Sequence, residues 1–169
     1  MRSAIVDGDS APVDLPLLEV GDNAPDFALL DSQFGERSLA ASHGKRRVLI
    51  TAPSVDVDGI AATTQAISDL LDAADIEFLV VSRDLPFTLR RFAAAVASTN
   101  CQALSAFRDD TFGRDYGVAI TDGRHSGLLA ESLFVIDENE TLTHVQFADP
   151  SLDLNALGAS LGLNRREDS

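Results

Sequence analysis

Two short, almost entirely apolar segments constrain the fold of this chain most. Residues 47–52 (RVLITA) and 76–82 (IEFLVVS) have the composition of buried strands, and the second is apolar enough to need cover on both faces. Between them, apolar residues recur at three- and four-residue spacing, which predicts an amphipathic helix over about 58–74. The residues that carry this spacing are Ile60, Thr64, Ile67, Leu70 and Leu71. A strand, a helix and a second strand in this order predict parallel pairing through a crossover.

The other predicted elements extend this unit into one domain over 1–169. They are a hairpin in 1–19 with DGDSAP as its turn, a strand within 20–31, a helix over 86–98, a strand over 102–107, a short helix over 111–116, a hairpin of 132–136 with 141–147, a helix over 152–161 and a solvated tail at 162–169. This order predicts an α/β thioredoxin-like fold, in which helices cover both faces of a central mixed sheet. Flavodoxin-like folds begin in a similar way.

The charge balance excludes whole classes of partner. Lys and Arg number 13 against 27 Asp and Glu, so the formal net charge is −14. Such a surface repels phosphate backbones and anionic lipids, and we expect neither a nucleic-acid nor a membrane partner. No apolar run approaches the ~20 residues needed to span a bilayer. Aspartates interrupt the N-terminal residues where a signal peptide is apolar, so we expect no signal peptide there.

Motifs for metals and cofactors are missing from the sequence. The three histidines are scattered, and no glycine-rich phosphate loop is present, so we expect no metal and no cofactor. Cys101 is the single cysteine, which rules out an intramolecular disulfide. A lone thiol is typical of a reducing compartment, and we expect a cytoplasmic protein.

Five collinear segments between residues 18 and 161 resemble the thiol peroxidase branch of the peroxiredoxin family. The segments are VGDNAPDFALLD (20–31), PSVDVDGIAATT (53–64), SRDLPFTLRRF (82–92), SAFRDDTFGRDYGVAI (105–120) and GLLAESLFVIDEN (127–139). The N-terminal hairpin is also similar to that branch. The resemblance implies a thioredoxin-like fold of the peroxiredoxin type.

The residues at the family's chemical positions differ from those that the reaction uses. Members reduce hydroperoxides with a peroxidatic cysteine, resolve the sulfenic acid with a second cysteine, and are reduced by thioredoxin. The resemblance places Ile60 at the peroxidatic position and Ala93 at the resolving position. It places Val57 where a threonine hydrogen-bonds the peroxide, and Glu131 where an arginine lowers the thiolate pKa. Pro53 is the member of this set that remains.

Each replacement removes a requirement of the reaction. A peroxidatic thiolate needs a helix N-terminus and a nearby cation, whereas Ile60 cannot ionise. Val57 supplies no hydrogen-bond donor or acceptor, and Glu131 would raise a thiolate pKa. The sequence therefore predicts a protein without hydroperoxide-reducing activity, acting as a binding or regulatory pseudoenzyme. We favour a closed pocket at Val57 and Ile60, with a small open apolar pocket as the alternative.

Three acidic residues near the predicted site, Asp56, Asp58 and Glu131, have a structural interpretation and a less favoured functional one. Asp56 and Asp58 are expected to cap the following helix. Glu131 is expected to form an ion pair with one of the nearby arginines; the candidates are Arg83, Arg90, Arg91, Arg108 and Arg124. The less favoured hypothesis is that Glu131 and Asp58 form an acidic site for a cation or an amine, or for acid chemistry.

Cys101 is expected to be chemically inert. The alternative is that the protein is a residual thiol peroxidase or a redox sensor, in which Cys101 would react and thioredoxin would reduce it.

In the resembled branch, the surface around segments 82–92 and 105–120 forms a homodimer contact. We therefore expect a homodimer, and an unidentified protein partner is the alternative. Phe112 and Tyr116 are either exposed at this contact or core residues.

Overall fold

The computed structural model describes residues 2–13, 17–96, 100–148 and 151–163. Nine strands and four helices form within these ranges. The strands are β1 (Arg2–Val6), β2 (Asp9–Val13), β3 (Ala28–Leu30), β4 (Glu36–Ser38), β5 (Arg46–Thr51), β6 (Ile76–Ser82), β7 (Cys101–Ser105), β8 (Ser132–Ile136) and β9 (Leu142–Phe147). The helices are α1 (Ile60–Leu71), α2 (Pro86–Ala95), α3 (Phe112–Asp115) and α4 (Leu154–Leu161), with a 3-10 turn at Ala40–Ser42.

Seven strands form one mixed sheet in the order β4-β3-β7-β6-β5-β8-β9. The three central strands β5, β6 and β7 are parallel, as the two crossovers predict. Strand β8 runs antiparallel to β5 and pairs with β9, and β3 runs antiparallel to β7. The α/β thioredoxin-like prediction is confirmed, and the antiparallel strands on both sides exclude a flavodoxin-like sheet.

Helices lie on both faces of this sheet, as the apolar character of β6 requires. Residues of α1, α2 and α4 pack with Val48, Ile50 and Val80 on one face. The other face packs against the β1–β2 hairpin, α3 and the segment that leads to β8. All seven residues of β6 are buried or half-buried, because both faces are covered.

Phe112 and Tyr116 belong to the core. Their exposed fractions are 1% and 0%, and their rings stack at 4.6 Å between centroids. The Tyr116 hydroxyl donates to the Pro25 carbonyl at 2.6 Å, so the polar end of the buried ring is satisfied. The sequence left two alternatives for these side chains. The prediction that they are core residues is confirmed, and the prediction that they are exposed at a dimer contact is wrong.

The N-terminal hairpin forms with a tighter turn than the sequence predicted. Asp7 and Gly8 both have left-handed backbones, with φ of 50° and 82°, which makes a two-residue turn of the type that matches strand twist. Strand β2 therefore begins at Asp9, and the predicted turn through Pro12 was too long. Residues 14–16, at the predicted end of this hairpin, lie outside the described residues.

Helix ends and the C-terminal segment also differ slightly from prediction. Helix α2 ends at Ala95, and residues 97–99 lie outside the described residues. Helix α4 is closed by Gly162, whose φ is 71°, and Leu163 packs against the core instead of belonging to a solvated tail. The rest of the predicted tail, 164–169, is outside the described residues. In the described part of the chain, no helix is long and apolar enough to cross a membrane.

Candidate functional site

The predicted site lies at the carboxyl end of the central parallel strands. Thr51 of β5 is level with Val81 of β6, which is level with Leu104 of β7. The loop over 52–59 leaves β5 at this end, and the loop over 83–85 leaves β6 beside it. Crevices at this end of an α/β sheet are the usual location for ligands. The topology therefore places the residues of 53–60 where a site would be.

Asp84 fixes the loop that carries the predicted site. Its Oδ1 accepts from the Ser54 hydroxyl at 2.8 Å, and its Oδ2 accepts from the Val55 N–H at 2.8 Å and the Ser82 hydroxyl at 2.7 Å. The Ser105 hydroxyl donates to the Asp84 carbonyl. One residue thus joins the ends of three elements. The sequence analysis missed this role, although Asp84 lies in the segment SRDLPF that carries the resemblance.

Thr51 brings the Glu131 segment to the same end of the sheet. Its hydroxyl donates to the Ala130 carbonyl at 2.7 Å and contacts the Ser132 hydroxyl. Ser132 is also the backbone partner of Thr51 in the β5–β8 pairing. Glu131 lies between these two tethered residues, so its backbone is fixed beside the start of the Pro53 loop.

Pro53, Val57 and Ile60 form the start of α1 and the turn before it. Pro53 is buried and Val57 is half-buried, while the Ile60 side chain is 3% exposed. The Val57 N–H donates to Ser54, and the Ile60 N–H donates to Val57, so two successive turns precede the helix. A buried isoleucine at the first helical position supports the closed interpretation of this pocket.

The predicted capping by Asp56 and Asp58 is wrong. The N-cap of α1 is Gly59, which has a φ of 89° and provides no side-chain hydrogen bond. Asp56 instead forms an ion pair with Arg91 of α2 at 3.1 Å, with both side chains mainly exposed. A left-handed residue directly before Ile60 turns the chain into the helix, and glycine tolerates this conformation without a steric penalty.

The predicted ion pair of Glu131 is also wrong. Across the described ranges, no arginine pairs with the Glu131 carboxylate. Arg91 pairs with Asp56, and Arg124 pairs with Asp9 at 2.6 Å. Arg83 and Arg90 donate to backbone carbonyls, and Arg108 is exposed.

Burial without a countercharge raises the pKa of Glu131 above its ordinary value. Neither the protonated nor the ionised Glu131 carboxyl carries the positive charge that the resemblance implies for this position. No group of three or more His, Cys, Asp or Glu side chains suited to a metal ion occurs among the residues that the structure describes.

Cys101 and Ala93 lie together, but at a different place. They line a small cleft with three other apolar residues: Phe92, Val96 and Ala103. Cys101 begins β7 and is level with Phe78, three residues before the level of Thr51. At about 3.3 Å per residue, this places Cys101 about 10 Å back along the strands from the Ile60 loop. Burial raises the pKa of its thiol to about 12, so the thiol is protonated at neutral pH.

The redoxin family model matches residues 19–160 of the chain. Thiol peroxidase from Streptococcus pneumoniae is 37% identical over 133 residues, which cover 78% of this chain and 80% of that protein. Thiol peroxidase from Corynebacterium glutamicum is 38% identical over 136 residues, which cover 79% and 81%. The chain belongs to the redoxin family. Its relatives place it with the thiol peroxidases, within the peroxiredoxins.

Solved structures of a thiol peroxidase and of a peroxiredoxin-like protein have the same fold as this chain. A thiol peroxidase from Chromobacterium violaceum superposes with a TM-score of 0.86 at 23% identity and covers 95% of both chains. A peroxiredoxin-like protein from Aquifex aeolicus gives a TM-score of 0.84 at 26% identity and covers 97% of this chain and 98% of that one. The peroxiredoxin-type fold with its N-terminal hairpin, expected from the sequence, is therefore confirmed.

Proposed function

We propose that this redoxin is a binding or regulatory protein that keeps the thiol peroxidase scaffold without reducing hydroperoxides. The observation that carries the proposal is the buried Ile60 side chain at the first position of α1. The resemblance assigns the peroxidatic cysteine to this position. An isoleucine has no ionisable group and no lone pair that could attack an O–O bond.

The surroundings of Ile60 support the same conclusion. Val57 offers no hydroxyl to a peroxide, and Glu131 lies at the same end of the sheet without a cation beside it in the part of the chain described. A raised carboxyl pKa indicates an environment that disfavours negative charge, and a peroxidatic thiolate is a negative charge. Among the described residues, the site therefore lacks the nucleophile, the hydroxyl that would hydrogen-bond the peroxide, and the cation that would stabilise a thiolate.

A coupled peroxidase assay tests the proposal directly. Hydrogen peroxide and cumene hydroperoxide are supplied with thioredoxin, thioredoxin reductase and NADPH, and the thiol peroxidase of Streptococcus pneumoniae serves as a reference under the same conditions. We expect NADPH oxidation by the wild-type chain to equal that of Cys101→Ser and of buffer. Turnover in the wild type that Cys101→Ser abolishes would overturn the proposal.

The second candidate function is a redox role for Cys101. The observation that favours it is that half-buried Cys101 lines a small cleft together with Ala93. Its raised pKa argues against it, because thiolates and not thiols react with peroxides and disulfides. If Cys101 were oxidised by a peroxide, the resemblance implies that thioredoxin would reduce it.

Labelling of Cys101 with a disulfide reagent separates these two candidates. We expect native protein at pH 7 to react at least about 100-fold more slowly than denatured protein, because a pKa of about 12 leaves few thiolates. Equal rates in the two states would favour the redox role.

We further propose that the protein is a homodimer, which the resemblance supports. We also propose that it is located in the cytoplasm, because a chain with a single cysteine has no intramolecular disulfide to form.

A further inference from the structure

Gln146 joins strand β9 to the start of helix α4. Its side-chain Oε1 accepts from the Asp153 N–H at 2.8 Å, and its Nε2 donates to the Asp153 carbonyl at 2.9 Å. Asp153 is the N-cap of α4, and its own carboxylate accepts from the Ala156 N–H at 3.0 Å. The amide of one glutamine is therefore bonded to both backbone groups of the residue that begins the helix.

These two bonds fix the orientation of the Gln146 amide. The Asp153 N–H can only donate and its carbonyl can only accept, so Oε1 and Nε2 of Gln146 cannot exchange places without losing both bonds. Nε2 of Gln146 also lies 2.7 Å from Nε2 of His144. Because an amide NH₂ group only donates, Nε2 of His144 accepts, and the imidazole is neutral with its proton on Nδ1. We call His144, Gln146 and Asp153 the α4 junction.

Protonation of His144 removes the acceptor that the α4 junction needs. An imidazolium carries a hydrogen on both ring nitrogens, so two donors would face each other at 2.7 Å. Rotation of the Gln146 amide relieves this conflict only by breaking both of its bonds to Asp153. Rotation of the imidazolium toward the Asp153 carboxylate makes it compete with the Ala156 N–H for the helix cap. Both movements weaken the attachment of α4.

The surroundings of His144 favour its neutral form. His144 and Gln146 are level with Val135 and Leu133 of β8, on the face of the sheet that α4 covers. Neither β8 nor α4 contains a titratable side chain, and among the described residues the Asp153 carboxylate is the charge that acts on the imidazole. Burial lowers the pKa of His144 below its ordinary value of 6.5, and Asp153 offsets part of this effect.

The other end of α4 and its buried face are attached independently of the α4 junction. Leu157 and Leu161 are buried in the core, and the Leu161 carbonyl accepts from the Arg46 guanidinium at 3.4 Å. Arg46 remains charged at every pH at which His144 titrates. Loss of the α4 junction should therefore open the first turn of α4 locally, while the rest of the helix stays packed.

We propose that the α4 junction is a pH-sensitive attachment, in which neutral His144 holds the start of α4 against β9 and protonated His144 releases it. Release uncovers apolar side chains that this turn packs against the core, among them Leu152 and Leu154. The protein then presents in mild acid a surface that is covered at neutral pH. The proposal concerns the scaffold, and it holds whether or not the protein reduces hydroperoxides.

The test is amide hydrogen exchange of the full chain, followed by NMR at pH 7.5 and 5.5, a range above the usual pKa of carboxyl groups. The reporters are the N–H groups of Ala156 and Leu157, whose bonds end on Asp153, and buried Val80 of β6 is the internal reference. After correction for intrinsic rates, protection of the reporters should fall about 3- to 10-fold in acid relative to Val80. Tenfold is the limit, because pH 5.5 lies one unit below the ordinary pKa of His144 of 6.5.

Two variants and one control assign the effect to His144. His144→Gln supplies an amide oxygen that accepts from Gln146 at both pH values, so protection of its reporters should not change with pH. Gln146→Glu replaces the NH₂ group with an oxygen that accepts from protonated His144, so protection should rise in acid instead of falling. His125→Gln is the control and should keep the wild-type response. Its neighbour Arg124 pairs with Asp9 of the hairpin, on the opposite face of the sheet from α4.

Several results would overturn the proposal. Reporter protection that stays the same in the wild type at both pH values would show that the α4 junction tolerates protonated His144. A fall that persists in His144→Gln would assign the pH dependence to another group, and an equal fall at Val80 would indicate global destabilisation instead of local release. Long-range ¹H–¹⁵N spectra provide an independent check. At pH 7.5 the His144 proton should lie on Nδ1, and an Nε2–H tautomer would contradict the hydrogen bond from Gln146.

Discussion

The Ser54 hydroxyl donates a 2.8 Å hydrogen bond to the Asp84 carboxylate, which joins the loop after β5 to the loop after β6. The same carboxylate accepts from the Val55 N–H, so the backbone before α1 is fixed as well as the side chain. These bonds hold the loop in shape without any contribution from the residue at position 60. The hydrogen bonds that position this loop therefore do not depend on a reactive residue at position 60, and they form although Ile60 is a buried isoleucine.

Replacing Asp84 should loosen this loop. Both carboxylate oxygens of Asp84 accept from donors, so the amide of Asp84→Asn must turn its NH₂ group toward one of them. We expect the free energy of unfolding to fall by about 1–3 kcal/mol. Urea denaturation measures it, and hydrogen exchange at Val55 should accelerate. Asp58→Asn, an exposed carboxylate in the same loop, is the control and should change stability by less than about 0.5 kcal/mol.

Stability should depend on pH through Glu140. Arg47 is fully buried in β5 and donates to Glu140 at 2.8 Å, and exposed His43 contacts the same carboxylate. The hydrogen bond from Arg47, followed by that from His43, lowers the pKa of Glu140. A lowered carboxyl pKa contributes stability that is present above the unfolded value of about 4.5 and lost as the pH falls below it.

Glu140→Gln should therefore differ most from the wild type at neutral pH. We expect the variant to be less stable by about 1–2 kcal/mol at pH 7, because the charged bond to buried Arg47 is weakened. The difference should shrink as the pH is lowered from 5 to 3 in a series of denaturation curves. Glu138→Gln, in the same turn and exposed, should follow the wild type at every pH. A difference that stays constant down to pH 3 would contradict this role for Glu140.

Glu131 should show the opposite pH dependence. Its pKa is raised by burial, so the native state binds the proton more tightly than the unfolded state does. Such a group favours folding below pH about 4.5 and opposes it as the pH rises through the native pKa. Glu131→Gln should therefore be more stable than the wild type at pH 7, by less than about 1 kcal/mol, with no gain at pH 4. Thermal melts of Glu131→Gln and the wild type at pH 7 and pH 4 measure this difference, and a variant less stable than the wild type at pH 7 would contradict the prediction.

The sequence predicted the elements that depend on local patterns. Strand β6 was predicted at its observed bounds, because an unbroken apolar run of this length permits few alternatives. Strand β4 was missed, since Glu36–Ser38 is polar and short, and its existence depends on pairing with β3. Helix α1 begins two residues later than predicted, because the left-handed backbone of Gly59 precedes it.

Side-chain partners in the site were less predictable than the elements. The pairing of Asp56 with Arg91 depends on how α2 packs beside the loop, which residue spacing along the chain does not encode. Arg47 had the pattern of a strand end, yet its side chain is fully buried and bonded to the distant Glu140. Asp84 was overlooked for the same reason, because its donors come from the neighbouring loop and strand.

Restoring a single cysteine should not restore peroxidase activity. Ile60→Cys places a thiol at the start of α1, but Val57 still lacks a hydroxyl and Glu131 still opposes negative charge nearby. We expect its thiol pKa, measured from the pH dependence of alkylation, to be at or above the ordinary value, and peroxide consumption to equal that of Ile60→Ser.

The triple variant Val57→Thr/Ile60→Cys/Glu131→Arg changes the hydroxyl, the nucleophile and the charge together. Its thiol pKa should fall by about 1–2 units relative to Ile60→Cys, which corresponds to about 10- to 100-fold more thiolate at neutral pH. Single-turnover peroxide consumption should rise with it, and the matched variant that carries serine at position 60 should consume none. If Ile60→Cys alone reacted as fast as the triple variant, the surroundings would still support a thiolate, and Ile60 would be the one obstacle to catalysis. A rise only in the triple variant would show that the valine and the glutamate suppress the reaction independently of the missing cysteine.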